Sequence, residues 1–150
     1  MNTPEPVTII VPGNSRPEAK HQVSRGGSWT RRVDKPQSVD FKAKCALFAK
    51  QAMVGRDLFD EPLEVWFVWR KPKPSGYRKH ENEWHKKPDL NNLCKIAEDA
   101  LTGIVWRDDS LICTSHERKE FAEVEELEVR VQVLHEDWAY RKTATHTGDG

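Results

Sequence analysis

The sequence predicts an α+β fold, a two-layer sandwich in which a mixed, mainly antiparallel sheet carries two principal helices. Three observations predict it. The elements run strand, helix, strand, helix, then two or three strands. Each helix carries one apolar stripe, so it needs only one sheet face to cover. The closing strand alternates apolar Leu127, Val129, Val131 and Val133 with Glu126, Glu128, Arg130 and Gln132, which leaves its second face wet. A chain of 150 residues with 37% apolar and 32% charged side chains suits one domain with a real core and a broad polar surface. That domain is assigned to residues 1–140, and 141–150, within the stretch ending THTGDG, to a disordered tail.

In chain order, Val7 to Val11 reads as a strand stopped by Pro12-Gly13-Asn14. Residues 14–37 are polar, show no period and are expected to form a loop or mobile arm. Arg25, Arg31, Arg32 and Lys35 in it are available to a polyanion. Ser38 is a candidate cap for a helix to Met53, with Phe41, Cys45, Phe48 and Ala52 as its buried stripe and Gly55 as its end. Leu63 to Arg70 is the clearest central strand. Leu63, Val65, Phe67 and Trp69 point one way, Trp66 and Val68 the other, so it is apolar on both faces except at Glu64. Lys71 to Lys87 reads as a second, basic loop, and Leu111 to Phe121 as a strand of mixed character.

The charges balance to zero, which argues neither for nor against a nucleic-acid partner, but their distribution is uneven. Residues 65–95 hold eight basic against three acidic side chains, and residues 117–137 hold three against eight. The acidic stretch from Glu117 to Glu128 is expected to be a solvated face turned away from any polyanion. Three widely spaced cysteines, Cys45, Cys94 and Cys113, suit reduced core positions rather than a disulfide framework. The N-terminal MNTPEPVTIIV has no basic region leading into a long apolar run, and no run approaches membrane-spanning length. A soluble cytoplasmic protein is expected.

The chemistry is concentrated in Lys86 to Cys113, KKPDLNNLCKIAEDALTGIVWRDDSLIC. Leu90, Leu93, Cys94, Ala97, Ala100 and Leu101 recur at helical spacing, while Asn91, Asn92, Lys95, Glu98 and Asp99 share the opposite face. Pro88-Asp89 suits the start of this helix and Gly103 its stop. The run Ile104 to Trp106 then delivers Arg107-Asp108-Asp109-Ser110 as a turn. A helix packed beside that run brings Asp89 toward Asp108 and Asp109. Converging carboxylates repel unless a cation lies between them. Oxygen ligands without His or Cys favour Mg²⁺, with Mn²⁺ as a substitute. Such ions bridge phosphate oxygens and activate water. Lys95, one turn beyond Asn91, is placed to neutralise a phosphate or protonate a departing oxygen. Beside the basic loop, this reads as a phosphodiesterase site on nucleic acid. Arg31, Arg32, Arg70, Lys71, Lys73, Arg78, Lys79, Lys86 and Lys87 are the expected contacts to DNA. Spacing alone leaves a second reading equally open, in which Asp89 only caps a helix and Asp108–Asp109 only make a turn.

The string KPDLNNLCK, followed by DALTG and by Trp106 shortly before Asp108-Asp109-Ser110, resembles the signature of the RusA family of Holliday-junction resolvases. The resemblance implies a homodimeric, Mg²⁺-dependent endonuclease of DNA recombination and repair, which binds four-way junctions and cuts two opposing strands symmetrically. It places Asp89, Asn91 and Asp109 in the acidic metal-binding triad, Asp108 beside it, and Lys95 as the essential lysine. A phage or prophage source, and hence a bacterial or phage-infected cytoplasm, fits many relatives. One position departs from the pattern: the family has aspartate where this chain has Asn91. The amide is nearly isosteric but uncharged, so weaker metal binding and a reduced rate are expected with fold and DNA binding kept. An engineered swap that traps uncleaved complex explains a single isosteric change best. A natural variant that recruits Asp108, or acts as a non-catalytic binder of branched DNA, is the alternative.

Other groups carry less. His80, His85, Cys94, Cys113 and His116 match no compact zinc spacing. Trp29 and Trp84, in the basic loops, are candidates for wedging against unstacked bases, although a loop aromatic more often packs on its own domain.

Overall fold

A computed structural model describes residues 3–13, 22–26, 29–33 and 36–135, with side chains described for 3–13 and 40–135. Its elements are β1 (Val7–Pro12), β2 (Gln22–Gly26), β3 (Trp29–Val33), α1 (Pro36–Ala52), β4 (Leu63–Lys71), α2 (Leu90–Leu101), β5 (Ile112–Phe121) and β6 (Glu126–Val133). A short 3₁₀ turn, Asp109–Leu111, precedes β5. The main sheet has the order β1-β6-β4-β5; β4 and β5 are parallel and the other two pairings antiparallel. The expected mixed, mainly antiparallel sheet with two helices is therefore present.

One face of the sheet forms the core. In β4, Leu63, Val65, Phe67 and Trp69 are fully buried, and β6 sets Val131, Val129 and Leu127 opposite the last three. β1 adds Val7, Ile9 and Val11. Helix α1 lies against β1 and α2, and α2 against β5. It begins at Pro36, whose missing N–H costs nothing in a first turn, so Ser38 lies inside the helix and is not its cap. Its buried row is Phe41, Cys45 and Ala49, with Phe48 and Ala52 half-buried beside it.

The second face of β4 is as apolar as expected, but neither described helix lies against it. Trp66 stacks on His116 with ring centres 4.9 Å apart, and the Arg130 guanidinium lies 5.4 Å from the same ring. His116 is in turn held at 2.8 Å by Glu64. Further along β4, Arg70 meets Glu120, Glu126 and Glu128 at 3.2, 2.9 and 2.8 Å. These bonds, that to Glu128 foremost, hold its proton more tightly than in a free arginine. Arg70, expected to contact DNA, is thus tied into the sheet. Much of the acidic stretch serves as its counter-charge rather than as a merely solvated face.

Two further expectations meet different outcomes. The polar stretch 14–37 contains β2 and β3, paired as a separate antiparallel hairpin with Ser24 opposite Arg31. Gly27-Ser28, a two-residue hairpin signal in the sequence between the two runs, is the cue that could have found it. The tail 141–150 lies outside the described residues.

Because one face of β4 is fully buried and the other half-buried among the described residues, the two should differ in cost. Phe67→Ala is expected to lower unfolding free energy by about 3–5 kcal/mol. Trp66→Ala, on the half-open face, is expected to cost clearly less, as read from urea denaturation of both variants.

Candidate active site

The basic loop between β4 and α2 is held by two aromatic anchors. Trp84 is 3% exposed, with the Lys71 ammonium 4.1 Å and that of Lys119 5.2 Å from its ring centre. Tyr77 stands edge-on to Phe121 at 4.8 Å and to His85 at 5.2 Å. Its hydroxyl accepts from the Lys86 backbone N–H at 3.0 Å. Trp84 is therefore core and not a base wedge, and Trp29 lies on β3 with its side chain outside the described residues. For Trp84 this is the packed role expected of a loop aromatic; Tyr77 had no period to mark it, and its presence in an otherwise polar stretch was the available cue.

Helix α2 begins after Asp89, which occupies the N-cap position and accepts the Leu93 N–H through its carbonyl at 3.1 Å. Its carboxylate makes no capping bond. Instead, both oxygens receive Lys87 Nζ at 2.8 Å. The purely capping role for this side chain therefore does not hold. Leu93, Cys94, Ile96, Ala97 and Leu101 are buried, whereas Asn91 and Lys95 are exposed and Glu98 half-exposed. At spacings of four and three, these last three share one stripe of the helix.

The helix ends at Thr102, and Gly103 follows with φ +88°, a left-handed conformation that side chains resist. Trp106 then locks the return. It is fully buried, its indole N–H donates to Thr102 Oγ1 at 3.0 Å, and Phe59 brackets it through Phe59 N to Val105 O and Arg107 N to Phe59 O. Asp108 and Asp109 leave this clamp at a fixed position. Asp108 caps the 3₁₀ turn, accepting the Ser110 N–H at 2.9 Å, and that bond holds its carboxyl below the usual range. Asp108 thus serves the turn as well.

Asp109 has a different neighbourhood. Burial raises the proton affinity of Glu98, and the charges of Asp109, Glu117 and Asp99 raise it further. Glu117 pairs with Phe67 across β5 and β4, so it lies on the helix side of the sheet, exposed as expected for the acidic stretch. Burial pushes the Cys94 thiol up to about 12, with the Glu117 charge adding to it. The Cys45 thiol is likewise about 12, by burial, while Cys113 is exposed. Glu98 and Glu117 are the acidic residues that spacing analysis left without a role. Glu98 lies on the Asn91–Lys95 stripe, which was legible; Glu117 required the strand register.

Among the described residues, no three His, Cys, Asp or Glu side chains stand ready as a metal-holding group. Asp89, Asp108 and Asp109 thus do not form a closed cage, because Asp89 is turned to Lys87 and Asp108 to its own turn. The zinc alternative gains nothing either. The donor chemistry still suits a hard divalent cation: the oxygen-bearing side chains around Glu98 carry negative charge that repels its ionisation.

Of the expected DNA contacts, Lys73 and Lys86 donate to loop carbonyls of Lys79 and Gly76 at 3.1 and 2.9 Å, and Lys71 lies on Trp84. Arg78 and Lys79 are exposed. Arg31 and Arg32 lie on β3, their side chains outside the described residues.

The Glu98 shift has a sign. A carboxyl whose folded pKa lies above its unfolded value contributes stability at low pH and loses it as pH rises through the raised value. Glu98→Gln is therefore expected to flatten the fall in melting temperature between mildly acidic and neutral pH, as followed by thermal melts of variant and parent.

No described helix is long and apolar enough to cross a membrane. No individual curated protein matches the chain. The family model of endodeoxyribonuclease RusA matches residues 12–132, from the end of β1 to the last turn of the sheet in β6. The span takes in the anchored basic loop, α2 and the Asp108–Asp109 turn, and by it the chain belongs to the RusA endodeoxyribonucleases, structure-specific endonucleases that act on Holliday junctions.

Proposed function

We infer that the protein binds four-way DNA junctions as a homodimer and hydrolyses phosphodiesters with Mg²⁺, or Mn²⁺ in its place, held by Asp89, Asn91 and Asp109 with Asp108 beside them. The observation that carries this reading is the action of Asp109 on Glu98, which lies on the same helix stripe as Asn91 and Lys95. It relates the turn at one end of the motif to the helix at the other. The cation, when bound, supplies charge neutralisation and a water of lowered pKa. Asp89 and Asp109 offer charged oxygens, and Asn91 one neutral carbonyl oxygen. Lys95, exposed one turn beyond Asn91, donates to the scissile phosphate or to the departing oxygen. Arg78 and Lys79 hold the flanking phosphates. A junction with two-fold symmetry calls for a two-fold protein, so that two opposing strands are cut alike.

The neutral Asn91 favours a second reading, a branched-DNA binder that keeps the scaffold without cutting. The two part on metal. A gel assay compares a four-way junction with linear duplex, using this chain and Asn91→Asp, with and without Mg²⁺. The expected result is Mg²⁺-dependent cleavage of the junction alone, with the variant at least about tenfold faster. No gain of cleavage in Asn91→Asp leaves only the binding reading. Arg78→Ala and Lys79→Ala are each expected to weaken junction binding and to reduce its salt slope by about one.

A further inference from the structure

Lys119 has no part in the roles assigned so far. It pairs with Trp69 across β5 and β4, so its side chain leaves the sheet on the helix side. There its ammonium donates to the carbonyls of Lys86 and Pro88, each at 3.0 Å. The second of these belongs to the peptide that joins Pro88 to Asp89. The buried ring of Trp84 lies 5.2 Å from the same ammonium, and Lys71 approaches that ring from 4.1 Å.

This is a costly place for a cation. Burial disfavours the charge of Lys119, and Lys71 and Lys119 repel one another. What offsets these terms is the segment 86–89: two carbonyl oxygens and the negative charge of Asp89. An apolar side chain would pack on Trp84 without the repulsion, but it would leave both carbonyls ungripped. From the other side, the Asp89 carbonyl is fixed by the first turn of α2. Asp89 is therefore held between a helix and a lysine of the edge strand, even though its carboxylate lies at the surface beside Lys87.

We propose that Lys119 is a positioning residue for Asp89: by gripping the Lys86 and Pro88 carbonyls against Trp84 it fixes where the Asp89 carboxylate meets a divalent cation. This rests on the reading of Asp89 as a metal ligand. Groups that orient a ligand without touching the metal commonly set affinity by tenfold or more, and preorganisation is how they do it.

The test uses the full chain carrying Asn91→Asp and follows Mn²⁺ binding by electron paramagnetic resonance, alongside junction cleavage. Lys119→Met is expected to weaken Mn²⁺ binding about tenfold while circular dichroism and junction affinity stay at the parent's values. Lys119→Arg, which keeps charge and donors, recovers most of the loss. Should Lys119→Met fail to fold, Lys119→Gln replaces it with the same expectation. Unchanged Mn²⁺ affinity in the neutral variant overturns the proposal, as does an equal loss in Lys119→Arg. Mn²⁺ binding that depends on Lys119 in a chain that leaves junctions uncut supports the positioning role and overturns the nuclease reading instead.

Discussion

The parallel pairing of β4 with β5 is the constraint on which the rest of the molecule depends. Parallel neighbours cannot be joined by a tight hairpin, so the chain must return across the sheet before β5 can begin. That return carries the basic loop, α2 and the Asp108–Asp109 turn. Most of the candidate chemistry therefore lies in one crossover connection, and β5 closes it by bringing Glu117 and Lys119 to the same side. The connection is fastened at both ends by buried indoles, Trp84 before α2 and Trp106 after it. The acidic and basic residues between them owe their positions to these apolar anchors.

Charge is sorted by sheet face. On the open face, Arg70 gathers three glutamates and Glu64 takes His116, so these acidic side chains have basic partners in place. On the helix side, the charges of Asp109 and Glu117 bear on Glu98 and oppose its ionisation. The first arrangement stabilises a surface; the second sets like charges near one another, which is common at functional sites.

Much of this was legible in the residues. The apolar alternation of β4 and β6, the helical stripe of α2 and the Gly103 stop were read from periods and turn chemistry, and the structure agrees with them. What escaped depended on partners far away in the chain. Arg70 looked like a DNA contact because its neighbours Lys71 and Lys73 are basic, while its actual partners lie on β5 and β6. Glu117 is exposed as expected, but which side of the sheet it takes depends on the register of β5 against β4, which cannot be read from either strand alone. The hairpin β2–β3 is too short and polar to show alternation. Both faces of β4 carry large apolar side chains, and Glu64 and Arg70 on one of them were the only sequence cue to which face the helices leave open.

The sulfur atoms show what this layering means for handling the protein. Cys45 and Cys94 are sealed beneath the helices, and their thiols resist ionisation. Cys113 sits exposed at the beginning of the edge strand, four residues beyond Asp109. The native chain thus carries a single addressable handle for a maleimide dye or spin label, close to the region where DNA would arrive, without any cysteine having to be removed.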